Sequence, residues 1–107
     1  PVPQQIIMGQ AVEPQGVDFI RKIWDELSEQ ERAQISDFHF TSTSQELIIY
    51  TAEGTEIRFG KKERLDEKLS VISQVFKLEQ EFLEAGQDAL VYVDVRYKGQ
   101  PVVKTTS

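Results

Sequence analysis

Residues 35–59 read ISDFHFTSTSQELIIYTAEGTEIRF and predict three consecutive β-strands. Phe38 and Phe40 alternate with polar residues, and 47–50 is apolar and rich in β-branched side chains, which is typical of strands. A run of hydroxyl side chains and later Gly54 separate the strands, because such residues fit the backbone angles of turns. We therefore expect an antiparallel meander whose strands cover 35–41, 46–52 and 55–59.

Helical periodicity flanks this meander on both sides. Apolar residues recur at spacings of three and four over about 17–28 and again over 62–85. Each segment is therefore predicted to be a helix that buries one face. Gly86 stands where the C-terminal cap of the second helix needs a left-handed backbone.

Two further strands are predicted after the second helix. Residues 90–97 are rich in strand-forming side chains, and their alternation gives this strand one apolar face that should pack on a helix. That face comprises Val91, Val93, Val95 and Tyr97. A turn at 98–101 then leads to a short edge strand at 102–104.

The resulting order is helix, three strands, helix, and one or two strands. An isolated helix cannot bury its apolar stripe, so both helices should pack on one face of a single antiparallel-rich sheet, giving an α+β fold. We expect the domain to span 17–104, after an extended lead-in at 1–16 in which Ile6-Ile7-Met8 is a candidate edge strand. Residues 105–107 are expected to fray.

Composition limits the classes of function. The chain has 107 residues, the length of one domain, and 12 Lys and Arg against 18 Asp and Glu give a formal net charge of -6. An acidic chain repels nucleic acid, and no apolar stretch is long enough to span a bilayer. The chain has no cysteine, which excludes disulfides and thiolate metal sites. Residues 57–107 hold 9 of the 12 basic groups, so an acidic partner is expected to bind there.

The residue pattern gives little support to catalysis. His39 is the only histidine, so a nucleophilic triad and a metal site both lack partners, and no cofactor-binding motif is present. The acid pairs at 25–26 and 66–67 are better explained as solvated helix faces than as the carboxylates of a hydrolase. A basic cluster opens the second helix, and it either pairs with neighbouring acids or docks an acidic partner. The cluster comprises Lys61, Lys62, Arg64 and Lys68.

The C-terminal edge is more informative, because an edge strand leaves N–H and C=O groups that another chain can pair with. This edge is amphipathic, and Pro101 and Lys104 are its only obvious residues of the kinds that disfavour strand addition. Its candidate binding residues are Tyr97, Lys98, Gly99, Val102 and Val103. From the residues alone, an ordinary edge and a partner-binding edge stay equally open.

Four motifs follow one another along the chain. They are Glu53-Gly54-Thr55 in a hairpin, Phe59-Gly60-Lys61 at a strand end, Glu67-Lys68-Leu69 on a helix and the closing Tyr92-Val93-Asp94-Val95-Arg96-Tyr97. With Ile6-Ile7-Met8-Gly9 and Leu47-Ile48-Ile49-Tyr50, this arrangement resembles the extracytoplasmic β domain of the FtsQ/DivIB family of bacterial cell-division proteins. The resemblance covers nearly the whole chain. Glu53, Phe59, Val93 and Val95 depart conservatively from the family pattern.

The resemblance implies a non-catalytic scaffold of the divisome that takes part in septum formation. The family's proteins are anchored in the cytoplasmic membrane by one transmembrane helix, with this domain outside the cytoplasm. By that comparison the chain is a fragment without the transmembrane helix and the POTRA domain. The implied partners are the coiled-coil proteins FtsB/DivIC and FtsL, with a segment of FtsB adding a strand to the sheet.

Site residues carried over by position are Arg96 and Tyr97 of the closing motif and Lys98 and Gly99 just beyond it. Val102 and Val103 follow from the edge-strand argument instead. We expect Tyr97 to act as an aromatic anchor, and Arg96 or Lys98 to pair with acids of the partner. Two alternatives are a polypeptide-binding module of the outer-membrane-assembly type and, with less support, a small carboxylate-dependent hydrolase.

Overall fold

Three helices and five strands make up the computed structural model, which describes residues 14–86 and 89–106. Their order is α1 (Pro14–Glu26), α2 (Glu29–Ala33), β1 (Ile35–Thr41), β2 (Glu46–Thr51), β3 (Glu56–Gly60), α3 (Leu65–Ala85), β4 (Leu90–Asp94) and β5 (Val102–Thr105). The candidate strand at 6–8, most of the lead-in and Ser107 lie outside the described residues.

All five strands form one sheet in the order β1-β2-β3-β4-β5. The pairs β1–β2, β2–β3 and β4–β5 are antiparallel, which confirms the meander and the antiparallel-rich sheet. The pair β3–β4 is parallel, because α3 carries the chain back across the sheet before β4 begins. The fold is therefore α+β, and within residues 14–86 and 89–106 the strands at the two edges of the sheet are β1 and β5.

The core lies between one face of the sheet and the apolar stripes of the helices. The ring of Phe19 on α1 meets that of Phe59 on β3 edge-on at 5.6 Å, and Trp24 meets Phe38 on β1 at 6.1 Å. Such edge-to-face contacts add to the hydrophobic burial of the rings. From α3, the buried contributions are Ile72, Val75 and Phe76.

The first predicted helix corresponds to α1, and the short helix α2 lies beyond its predicted end at about residue 28. α1 begins at Pro14, so residues 14–16, expected in the lead-in, are helical. α2 begins after Ser28, whose hydroxyl accepts a hydrogen bond from Glu31 N at 3.1 Å while Glu31 Oε1 accepts one from Ser28 N at 2.9 Å. This capping box satisfies the first N–H groups of a new helix, and α1 therefore ends before it.

The second long helix starts three residues later than predicted. Arg64 has a left-handed backbone with φ of 50°, which a helix cannot continue, so α3 begins at Leu65. The basic residues Lys61 and Lys62 consequently precede the helix rather than open it. At the other end Gly86, with φ of 63°, caps α3 as predicted.

The C-terminal strands differ from prediction at two points. β4 ends at Asp94, and a register shift between Leu90 and Tyr92 turns Val91 outward while Val93 and Val95 are buried. Val91 and Tyr97 are therefore exposed, against the expected apolar face. β5 runs through Thr105, and Thr106 N donates to Ala89 O at 3.0 Å. The expected fraying is thus wrong for 105 and 106, which are tied to β4 and the residue before it.

Candidate functional site

The six residues predicted to bind a partner lie in one continuous stretch of surface. Arg96, Tyr97, Lys98 and Gly99 form the turn that follows β4, and Val102 and Val103 open the edge strand β5. We call these six residues the edge site. Their nearness follows from the antiparallel β4–β5 pairing, in which Asp94 faces Val102.

Arg96 is held in place by Asp94. Its Nε lies 3.0 Å from Asp94 Oδ1 and its Nη2 lies 2.8 Å from Oδ2, which is the two-point geometry favoured between guanidinium and carboxylate. The backbone N–H of Arg96 also donates to Asp94 Oδ1, at 3.0 Å. One carboxylate therefore fixes both the side chain and the backbone where the turn begins.

These contacts shift the pKa values of both groups in directions that favour the ion pair. The hydrogen bond from the Arg96 side chain lowers the pKa of Asp94 below its ordinary value of 3.8, against the opposing effect of burial. The hydrogen bond to Asp94 raises the pKa of Arg96. The pair is therefore fully charged at neutral pH.

Tyr97 projects from this turn into solvent. Its side chain is 70% exposed, and the Arg96 guanidinium carbon lies 5.2 Å from its ring centroid, within range of a cation–π contact. An exposed aromatic side chain supported by a rigid neighbour is well suited to bury itself in a partner. Lys98 is exposed and has no ion-pair partner among residues 14–86 and 89–106.

Two residues outside the predicted set support the turn. Arg64 Nη2 donates to Arg96 O at 2.9 Å, which ties the start of α3 to the turn. Gly60 ends β3 with φ of +83°, and a Cβ there would lie 2.8 Å from Arg96 Cγ. The Phe59-Gly60-Lys61 motif could have indicated the glycine, whereas the left-handed backbone of Arg64 leaves no signal in the sequence.

The backbone of Val103 on β5 points away from the sheet. Val95 N donates to Arg58 O of β3 at 3.1 Å. Because backbone groups alternate in direction along a strand, the N–H and C=O groups of Tyr92 and Asp94 then point to β5. Their partners on β5 are Lys104 and Val102, which leaves the backbone N–H and C=O of Val103 directed away from the sheet. The edge therefore presents Val103 to an incoming strand.

The side chains of the edge are exposed as well. Val102 and Val103 are 56% and 49% exposed, and no residue of β5 is buried. The groove between Tyr97, Val71 and Pro101 has a volume of only about 30 Å³, room for about two water molecules. The surface therefore suits the pairing of backbones and side chains more than the capture of a large ligand.

The four residues of the basic cluster differ in burial and in their contacts. Lys68 is 1% exposed, donates to Lys61 O at 2.9 Å and lies 5.0 Å from the ring centroid of Phe59, so it is part of the core. Arg64 lies 3.5 Å from Glu67 across an ion pair. Lys61 and Lys62 remain exposed before α3.

The catalytic candidates of the sequence, His39 and the acid pairs at 25–26 and 66–67, do not come together in the described part of the chain. His39 is half-buried on β1 opposite Ile48, and no described residue hydrogen-bonds to its imidazole ring. The pairs at 25–26 and 66–67 are exposed. Within residues 14–86 and 89–106, no group of three or more His, Cys, Asp or Glu side chains could hold a metal ion. No helix in the same ranges is both long and apolar enough to cross a membrane.

The chain is an α+β domain whose sheet ends in an exposed strand, β5. Residues 4–96 match the family described as Cell division protein FtsQ/DivIB, C-terminal, and the chain belongs to the FtsQ/DivIB family. A comparison with curated proteins finds no match. The family match ends at Arg96, so the other five residues of the edge site lie beyond it.

Proposed function

We propose that this domain is a non-catalytic scaffold that binds FtsB/DivIC-type and FtsL-type division proteins by adding a partner strand to β5. Membership of the FtsQ/DivIB family carries the role in cell division. The observation that carries the mode of binding is the outward backbone of Val103 on an exposed edge strand. By family membership we also propose that the domain acts outside the cytoplasm, as part of a protein anchored in the bacterial cytoplasmic membrane.

Strand addition fits this edge for physical reasons. Main-chain hydrogen bonds to an exposed strand supply affinity, and side chains on the two faces of the added strand supply specificity. β5 has four residues, and burial by a partner would remove the exposed surface of Val102 and Val103 from water.

The turn supplies anchoring and charge in this proposal. Tyr97 would be buried in the partner, because a large exposed aromatic group beside a fixed cation loses little conformational freedom on binding. Lys98 would pair with an acidic side chain of the partner, since the guanidinium of Arg96 is already held by Asp94. Arg96 would then act by positioning Tyr97.

A proline substitution at one position tests strand addition. Val103→Pro removes the outward N–H without removing a hydrogen bond to β4, and proline is tolerated on an edge strand where the N–H faces solvent. Val103→Thr is the matched control, because it keeps the N–H and the β-branched shape. Each variant would be titrated by calorimetry with the extracytoplasmic segment of the FtsB/DivIC-type protein from the same organism.

We expect micromolar or tighter binding by the unchanged chain and by Val103→Thr, and a loss of at least ~tenfold in Val103→Pro. Circular dichroism and the denaturation midpoint would show that all three proteins keep the same fold. Equal binding by all three would contradict strand addition at β5. An absence of binding by the unchanged chain would contradict the proposal that this domain alone recognises the partner.

A further inference from the structure

A second cleft lies at the far end of β4 from the edge site, where α3 ends over the start of β4. Its volume is about 210 Å³, more than ten times the ~15 Å³ that one water molecule needs. The β2–β3 turn contributes Glu53 and Thr55, and the end of α3 contributes Glu79, Phe82 and Leu83. Leu90 lines the same space from β4. We call this space the Glu79 cleft.

Glu79 is a buried carboxylate with one oxygen left over. Its side chain is 3% exposed, and its Oε2 accepts hydrogen bonds from the hydroxyls of Thr51, at 2.6 Å, and Thr55. Its Oε1 is buried and accepts no hydrogen bond from any described residue. A buried polar atom without a partner costs free energy, so this oxygen favours a ligand that donates hydrogen bonds.

The surroundings of this oxygen favour a positive charge. Glu53 adds a second carboxylate at the mouth of the cleft, and no lining residue of the described chain is basic. The C-terminal end of α3 carries the negative end of the helix dipole, and its last turn has no basic residue to offset it. Glu53, the lack of basic lining residues and the helix dipole all favour a bound group that is positively charged.

The apolar wall of the cleft favours a cation that carries an apolar stem. Phe82, Leu83 and Leu90 line it, and Leu83 is 54% exposed although it is a large apolar side chain. Arginine and lysine bury their methylene stems against apolar surface while their charged heads reach polar groups. A bare metal ion would not use this wall, and the residues of 14–86 and 89–106 offer no cluster able to ligate one.

We propose that the Glu79 cleft binds an arginine or lysine side chain presented by a partner polypeptide, with the charged head at Glu79 and Glu53 and the stem against Phe82 and Leu83. This site is separate from the edge site and does not rest on strand addition.

Nuclear magnetic resonance titration of the 107-residue chain tests this proposal with N-acetyl-arginine amide as the probe. N-acetyl-citrulline amide has nearly the same shape without the charge and is the matched control ligand. At low ionic strength, where exposed charges are little screened, we expect saturable shifts of the backbone amides of Leu83, Gly86 and Leu90. The dissociation constant should lie near ~1 mM for a ligand of this size.

Three variants separate the site from general electrostatics. Glu79→Gln removes the buried charge and should weaken binding of the probe at least ~tenfold. Glu53→Gln at the exposed mouth of the cleft should weaken binding of the probe about two- to fivefold. Glu81 lies on the exposed side of the same helix, outside the cleft. Glu81→Gln should therefore bind the probe as tightly as the unchanged chain does. Glu53→Gln keeps the test usable should Glu79→Gln fail to fold.

The proposal is overturned by several results. One is an equal response to the arginine and citrulline probes, which would show that charge is not recognised. Another is loss of binding in Glu81→Gln as large as that in Glu53→Gln, which would point to the net charge of the chain. The absence of any saturable shift would mean that the cleft holds only water.

Discussion

Gly60 and Arg96 are in contact across the end of β3, so closely that a Cβ on Gly60 would lie 2.8 Å from Arg96 Cγ. The two residues belong to motifs that are far apart in the sequence. The glycine leaves room for the Arg96 side chain to turn back onto Asp94, and this pairing sets the direction of the turn that carries Tyr97. A requirement for glycine at one strand end is thereby linked to the position of the proposed anchor.

Gly60→Ala should destabilise the domain more than a glycine substitution that meets no neighbour. Gly54 is the matched control, because it also has a positive φ but a Cβ added there would have no heavy atom within 4 Å. Gly54→Ala should cost about 1 kcal/mol from backbone strain alone. Gly60→Ala should cost at least ~1 kcal/mol more, because Arg96 must shift. Denaturant unfolding of both variants measures the difference, and equal losses would contradict the role of the contact.

The Asp94–Arg96 pair should make stability depend on pH in the acid range. Because the pKa of Asp94 is lower in the folded chain than its ordinary value of 3.8, the pair stabilises the fold above that pH. This contribution is lost as the pH falls through the lowered value. The difference in unfolding free energy between the unchanged chain and Asp94→Asn should therefore be largest near neutral pH and shrink below 3.8. A difference that stays constant down to low pH would contradict the assigned pair.

Much of this fold is predictable from local pattern. β1 runs over the predicted residues because alternation and a hydroxyl-rich turn agree there, and Gly86 caps α3 as its sequence position indicates. The capping box of α2 is also visible in the sequence, as Ser28 followed three residues later by Glu31, and it could have indicated a second short helix after the first.

Other features depend on contacts between distant residues. The left-handed backbone of Arg64 is accompanied by its hydrogen bond to Arg96 O, 32 residues away, and no local rule predicts it. The outward turn of Val91 depends on a register shift between β4 and β5. In the sequence Glu79 is one more acidic residue of a helix, and only its burial beside Thr51 and Thr55 distinguishes it.

Tyr97→Ala should weaken partner binding strongly and leave the fold nearly unchanged. A hot-spot aromatic residue costs at least ~2 kcal/mol on truncation, and a side chain that is 70% exposed contributes little to the core. Tyr97→Phe is the control, since it keeps the ring and should bind within about 1 kcal/mol of the unchanged chain. Calorimetry gives the binding change and denaturant unfolding the stability change. A stability loss as large as the binding loss would make Tyr97 a structural residue instead.

Lys98→Glu should slow association with the partner, and more so at low salt. Charges at the rim of an interface act mainly on the association rate, and an exposed pair of this kind changes affinity about two- to fivefold. Lys77→Glu on the exposed side of α3 produces the same change in net charge away from the edge site. Stopped-flow or surface-binding rates compare the two variants. Equal slowing by both would show a general effect of charge rather than a contact at Lys98.

Amide hydrogen exchange at Val103 tests strand addition most directly, because its N–H faces away from β4. In the free chain this amide should exchange faster than that of Lys104, which faces β4. When the chain is saturated with the FtsB/DivIC-type segment, exchange at Val103 should slow by at least ~tenfold as a partner carbonyl accepts its hydrogen bond. An unchanged exchange rate at Val103 in the saturated complex would contradict the account.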